Sequence, residues 1–242
     1  MKKFFKFISI SLFLVASLNA ADVLKIGTNA TYPPFEYVDQ SSKITGFDID
    51  LVDELSKRLG FKYEFINMGF DALIPALKSG KIDAITAAMS ATPQRIKAVD
   101  FTKAYYTTEN LFIKKSDNTD IKSKSDLKGK KIGVQLGTVQ EIAAREIKES
   151  KTVPTKDIFN SIMALKNGKI DVVLVDTSIG YGYLNKNSDL VEFLKEPDGS
   201  EGFSIAFDKN KHTDLINKIN QEVEKMKQDG TYDKLLKKYE LK

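Results

Sequence analysis

Two spacings of apolar residues alternate along the chain, one of strand period and one of helix period. VLKIG (23–27) predicts a strand. In FDIDLVDELSKRLG (47–60), Leu51, Val52, Leu55 and Leu59 share one helical face, Gly60 suits the C-terminal stop, and Asp48 and Asp50 meet the positive end of the helix dipole. YEFINM (63–68) predicts the next strand. DALIPALKSG (71–80) predicts a short helix with Asp71 as cap and Gly80 at its end, and KIDAITAA (81–88) a third strand. Thr92-Pro93 opens another helix, with proline at a first-turn position where its missing N–H costs nothing.

The second half follows the same grammar. KKIGVQL (130–136) predicts a strand, and Thr138 with Glu141 forms the S/T-x-x-E capping pattern at the head of TVQEIAAREIKES. ALKNGKIDVVLVD (164–176) predicts a helix end, a glycine and a strand. It nearly repeats ALKSGKID (76–83), 88 positions earlier. Two copies are too few for a solenoid. Their matching place in two β/α series points instead to two similar lobes. Helix-end and strand-start chemistry would explain the phrase, but not its placement.

Strands alternating with helices predict mainly parallel sheets covered on both faces. FTKAYYTTENLFIKK (101–115) reads as an extended crossover from one lobe to the other. After Asp176, LVEFL and the turn-rich KEPDGSEG lead to FSIAF, a strand that can return to the first lobe. Two helices close the chain, roughly 213–229 and 231–239, separated by Gly230 and capped by Thr231. The expected fold class is therefore α/β with two lobes, 21–106 plus 200–242 and 110–196. Crossing segments at 107–109 and 197–199 form a hinge, and a hinge implies a cleft.

The N-terminus changes the reading of charge and compartment. MKKFFK, an apolar run ISISLFLVASL and LNA before AD have the layout of a secretory signal peptide, with cleavage expected after Ala20. Its apolar run is short for a membrane span. The chain is thus expected in the periplasm, and without cysteine it is not a lipoprotein. Loss of Lys2, Lys3 and Lys6 reduces 37 basic residues to 34 against 33 acidic ones, so neither nucleic acid nor an anionic membrane is implied as partner. With no cysteine and His212 as the one histidine, thiol nucleophiles, Ser-His-Asp chemistry and Cys- or His-rich metal sites drop out. No cofactor is called for.

Ligands of open α/β sheets bind beyond the carboxyl ends of the strands. Standing there are TNATYPPFE (28–36), MGFD (68–71) and AAMSATPQR (87–95) from the first lobe, and QLGT (135–138) and VDTS (175–178) from the second. They supply aromatic faces (Tyr32, Phe70), a guanidinium (Arg95), a carboxylate (Asp176), hydroxyls (Ser90, Thr138) and a helix N-terminus, a set suited to a small zwitterion. Each has a plainer reading. Asp176 could be a helix N-cap before TSIG, Arg95 a surface charge, Tyr32 and Phe70 core or turn residues. The acid pairs Asp48/Asp50 and Asp53/Glu54 read as a solvated helix face rather than paired carboxylates or a metal site.

Across GTNATYPPFEY (27–37), GFDIDLVDEL (46–55), FDALIPALKSGKID (70–83), SATPQR (90–95), LKGKKIGVQLGT (127–138) and DGTYDKLLKKY (229–239), the chain resembles the polar and basic amino-acid branch of the periplasmic solute-binding proteins of ABC transporters, extracellular family 3. The resemblance spans the whole mature chain and implies the two-lobed type II binding-protein fold, with the first lobe discontinuous. It implies that Arg95 binds a ligand α-carboxylate together with main-chain N–H groups of Ser90 and the Thr138–Val139 turn. It implies that Asp176, the Ser90 hydroxyl and the Ala88 carbonyl bind the α-ammonium, that Tyr32 and Phe70 sandwich the side chain, and that Asn29, Glu36, Ala87, Met89 and Gln135 line the distal pocket. Ser56 departs mildly from the GFDIDL signature. Asn29 stands where several relatives that bind lysine, arginine, ornithine, histidine or glutamine carry Asp, and Glu36 partly restores that charge.

The implied function is delivery of a free L-amino acid, arginine first, then lysine, histidine or ornithine, to the membrane permease of an ABC importer by a monomeric, non-enzymatic protein. Glutamine is the neutral alternative. A dehydratase-like enzyme on the same fold, with Glu36 as acid or base, and a sensor or adhesin are the rivals from other classes.

Overall fold

The computed structural model describes residues 23–241, so the signal segment expected at 1–20 lies outside them. Val23–Thr28 is the second strand of a five-stranded sheet, parallel to Lys62–Asn67 on one side and to Ala84–Ile85 on the other. Ala206–Asp208 and then Val99–Phe101 complete that sheet in antiparallel sense. The second sheet repeats this plan: Lys131–Gln135 lies parallel between Lys151–Thr155 and Val172–Asp176, and Glu109–Lys115 and Leu190–Pro197 follow antiparallel. Each sheet is thus mixed, with a parallel core, rather than mainly parallel. The antiparallel strands belong to the segments that cross between lobes, which arrive without the helical crossover that parallel pairing demands. A small antiparallel sheet of Thr31–Tyr32, Glu36–Val38 and Ile44–Thr45 stands apart from both.

The repeated phrase does the same structural work in each lobe. Gly80 and Gly168 end helices Leu73–Lys78 and Ile158–Lys166 with φ of 72° and 67°, and the following lysines return N–H bonds to the Ala76 and Ala164 carbonyls. The next residues but one, Asp83 and Asp171, each bond twice to the neighbouring strand. Asp83 accepts from Lys25 N–H (2.8 Å) and donates its own N–H to Lys25 O (2.7 Å); Asp171 does the same with Lys131 (2.7 and 2.9 Å). The isoleucine between, Ile82 or Ile170, packs over the glycine of the facing KIG triplet. A Cβ on Gly27 would lie 2.4 Å from Ile82 Cδ1, and one on Gly133 2.3 Å from Ile170 Cδ1. So the echo extends to Lys25-Ile26-Gly27 and Lys131-Ile132-Gly133.

Helix Phe47–Leu59 buries Leu51, Val52 and Leu55 in a core shared with Ile219, Val223 and Met226 of the Thr213–Gln228 helix. Arg58 at its C-terminal turn binds Glu54, Glu222, Asp229 and the Thr231 hydroxyl, tying it to both closing helices. Three expected details differ. Asp71 is not a helix cap: a 3-10 turn, Phe70–Ala72, precedes the helix, whose N-cap is Ala72. Thr231 is the first residue of helix Thr231–Lys238, whose N-cap is Gly230. The strand expected at 81–88 pairs only at Ala84–Ile85, because the chain then turns away through Ala88, which adopts φ of 44°. Among the described residues no helix is long and apolar enough to cross a membrane.

Candidate functional site

The carboxyl ends of the two parallel cores face each other. Asn29 follows Val23–Thr28 and Gln135 ends Lys131–Gln135; each is the fourth residue after the lysine of its KIG triplet, and Gln135 Nε2 donates to Asn29 Oδ1 (2.9 Å) across the cleft. Between the lobes lies a small cavity. Asn29, Tyr32, Glu36, Phe70, Ala87, Ala88, Ser90, Arg95, Gln135, Thr138, Val139 and Asp176 all line it. Met89 does not. Its side chain is buried in the first-lobe core with Leu73, Leu77 and Ile85, because the turn at Ala88 sends alternate residues to opposite sides. Gln140 and Phe203 line the cavity and were not anticipated. Gln140 lies one residue past the anticipated Val139, in the first turn of helix Val139–Glu146. Phe203 comes from the returning segment, which carries no polar signal.

Arg95 extends from the short helix Pro93–Ala98, whose start is fixed by Thr92 Oγ1 accepting from Arg95 N–H (3.2 Å). Its guanidinium donates to Ser90 O and, across the cleft, to Gly137 O, both at 2.9 Å, and lies over the Phe70 ring at 5.5 Å. Burial lowers its pKa to about 10, with the Asp198 charge opposing that shift. Gly137, at φ of 81°, comes so near Asp71 that a Cβ there would lie 2.9 Å from Asp71 Cα. The tight QLGT turn is what lets the lobes meet.

Asp176 caps a helix and also lines the cavity. One carboxylate oxygen caps helix Thr177–Lys186, accepting from Ile179 N–H (3.2 Å) and from the Ser178 hydroxyl; the other accepts from the Tyr32 hydroxyl of the first lobe. Burial raises the Asp176 pKa against these donors. Thr138 caps helix Val139–Glu146, its Oγ1 accepting from Glu141 N–H (3.2 Å). The Glu141 carboxylate does not close the expected box on the Thr138 N–H; it reaches one residue back, to Gly137 N–H (2.6 Å), which steadies the tight turn.

Glu36 and Asp48 form a feature that the sequence pattern hid. Asp48 is fully buried instead of solvated on its helix: Oδ2 accepts from Ala88 N–H and the Tyr105 hydroxyl, both at 2.8 Å. Asp48 N–H donates to Phe35 O (2.9 Å), which sets its carboxyl beside that of Glu36, and Glu36 Oε2 and Asp48 Oδ1 are both buried without a hydrogen-bond partner. Burial, followed by the Asp48 charge, holds Glu36 well above the usual carboxylate range, and burial raises Asp48 to about 6. Only the bend of the small sheet over the helix start brings these two acids together, and no spacing in the sequence announces it. Among the described residues no cluster of three or more His, Asp or Glu could hold a metal ion.

Residues 24–242 match the bacterial extracellular solute-binding proteins, family 3. The chain belongs to that family. It is 50% identical over 223 residues to a probable histidine-binding protein of Campylobacter jejuni, covering 92% of this chain and 87% of the relative. It is 39% identical over 222 residues to the ABC transporter arginine-binding protein 1 of Escherichia coli, covering 90% of each. Among solved structures, an ancestral arginine-binding protein bound to arginine superimposes with a TM-score of 0.84 at 40% identity, covering 90% of this chain and 97% of that one. Family 3 is a family of solute binders, so the expectation of a binding protein rather than an enzyme holds.

Proposed function

We propose that this family 3 protein is the periplasmic substrate-binding component of an amino-acid ABC importer, closing around an L-amino acid with a basic side chain and delivering it to a membrane permease. The observation that carries the reading is one small cavity lined by a guanidinium from the first lobe, a carboxylate from the second and a further buried acid, Glu36. Arg95, with N–H groups of Ser90 and the Thr138–Val139 turn, takes the ligand carboxylate. Asp176, the Ser90 hydroxyl and the Ala88 carbonyl take the ammonium. Tyr32 and Phe70 clamp the side chain, and Asn29, Glu36, Ala87 and Gln135 meet its polar end. The hinge runs through 107–109 and 197–199, where Glu109 and Pro197 are paired at the start of the second-lobe sheet. Contacts that the ligand makes with both lobes favour the closed form.

Arginine and histidine are the first ligands to test, in keeping with relatives named for those two amino acids and with the acid at Glu36. The chain is secreted, with its first twenty residues removed, and acts as a monomer. Titration calorimetry of the secreted form against the twenty amino acids, ornithine and citrulline tests the reading. The expected outcome is that arginine or histidine binds at least tenfold more tightly than glutamine. Glutamine as the tightest ligand would make this a polar, neutral-amino-acid binder, and no binding by any of them would remove the reading.

A further inference from the structure

The buried acid pair carries a consequence for how charge is recognised, and it rests on the basic-amino-acid reading above. We propose that Asp48, which does not touch the cavity, shares one proton with Glu36, and that a cationic side chain docking against Glu36 expels that proton to solvent. Asp48 is a positioning residue here: it acts on the ligand only through Glu36.

The geometry gives the two acids unequal roles. Asp48 Oδ2 is held by two donors, Ala88 N–H and the Tyr105 hydroxyl, which favour its anionic form. Glu36 lines the cavity, and none of the named hydrogen-bond donors of the site reaches its Oε2. A second bare charge beside Asp48, in a site where both residues are at most 1% exposed, is strongly disfavoured, so the pair holds one proton and Glu36 carries it. Of the other ionisable groups facing Glu36, Asp176 from the end of strand Val172–Asp176 pushes the same way, while Tyr32 from the small sheet and Tyr105 from the crossover stay neutral phenols and add no charge. A guanidinium or ammonium brought against Glu36 supplies the missing positive charge. The Glu36 O–H bond then breaks, its proton passes to buffer, and the carboxylate pairs with the ligand cation.

A neutral side chain expels nothing, and a neutral imidazole takes the proton itself. Calorimetry at one pH in two buffers of different ionisation enthalpy counts the protons. About one is expected to leave on binding arginine at pH 7, none on binding glutamine, and close to none on binding histidine at pH 8, where the free ring is neutral. Arginine affinity should rise roughly tenfold per pH unit below the midpoint of the ligand-free pair, and level off above it. In Glu36→Gln both the proton release and this pH dependence should vanish.

Infrared spectroscopy of the ligand-free protein tests the shared proton independently of any ligand. A carboxylic-acid carbonyl band at pH 7 that disappears in Glu36→Gln, and that titrates away at lower pH in Asp48→Asn, supports it. Should Asp48→Asn not fold, the Glu36→Gln difference carries the test. Arginine binding without proton release overturns the inference and leaves the proposed function standing. If no basic amino acid binds, the proposed function fails, and absence of the infrared band overturns the shared proton as well.

Discussion

The two lobes are built on one plan and carry unlike rims. Their sheets have the same strand order and directions, and each pairs a KIG triplet with a GKID phrase through the same hydrogen bonds. They diverge immediately after the first parallel strand. In the second lobe, the turn 136–138 leads from Lys131–Gln135 straight into helix Val139–Glu146. In the first, residues 29–46 intervene before helix Phe47–Leu59, folding as the small three-stranded sheet that presents Tyr32 and Glu36 to the cavity. The scaffold is symmetric, and the insertion adds Tyr32 and Glu36 to a cavity that Arg95 and Asp176 line from other segments. The second lobe contributes helix caps, Thr138 and Asp176, and meets the first lobe through Gln135, which donates to Asn29, and through the Asp176 oxygen that accepts from Tyr32. The first lobe supplies the larger part of the cavity lining, and the second meets it with the ends of two strands and the starts of the helices that follow.

The largest expected effect breaks that division of labour. Arg95→Ala and Asp176→Ala each remove one pole of a desolvated charge pair with the ligand, and each should weaken amino-acid binding by about 3–5 kcal/mol in titration calorimetry. Their stability effects should differ. Asp176→Ala also removes the cap of helix Thr177–Lys186, which costs a further ~1 kcal/mol in urea unfolding, whereas Arg95→Ala removes no cap. Near wild-type affinity in both variants would mean that the cavity is not the binding site.

Much of this was legible in the chain, for physical reasons that differ by element. Period and caps disclosed the long helices, most of the parallel strands and the lobe repeat, but not strand Lys151–Thr155, whose KTVPT carries a proline and no clear apolar alternation. Strand ends disclosed Arg95, Asp176, Tyr32 and Phe70, because the α/β topology fixes where cavities open. What stayed hidden depends on tertiary placement. Asp48 sits where a first-turn acid normally meets water, and only the small sheet folding over it makes it a buried partner of Glu36. Met89 follows the cavity residues in sequence, but the positive φ of Ala88 turns its side chain into the core. The antiparallel strands could not be oriented from their pattern, since a segment returning from the other lobe reads like any other strand.

A smaller effect tests whether the shared plan is also energetic. Gly27→Ala and Gly133→Ala place a methyl against the isoleucine of the facing GKID phrase, 2.4 and 2.3 Å from its Cδ1. Overpacking of this kind costs about 1–3 kcal/mol. Both variants should lose stability in urea unfolding, Gly27→Ala the more, because Leu73 Cδ2 also lies 2.9 Å from the added methyl. The nearest further atom at Gly133 is Ser161 Oγ at 3.1 Å, a looser contact that a small shift relieves. A clearly larger loss at Gly133 would show that the second-lobe core yields less than the first.

The smallest effect concerns the aspartates of the two phrases. Asp83 and Asp171 each accept the N–H of the lysine that opens the neighbouring triplet, and both are half-buried, so solvent competes for the bond. Replacing either by alanine removes one charge-assisted hydrogen bond while the residue's own N–H still bonds to the same lysine carbonyl. About 1 kcal/mol should be lost in each case, with ligand affinity unchanged, because both sit at the strand starts and the cavity lies beyond the strand ends. Since the two sites are in different sheets and share no partner, the double variant should lose the sum to within about 0.5 kcal/mol. A double variant that loses much more than the sum, by urea unfolding, would mean that the two sites are energetically coupled through the crossing strands, and that the symmetry of the plan does not make them independent.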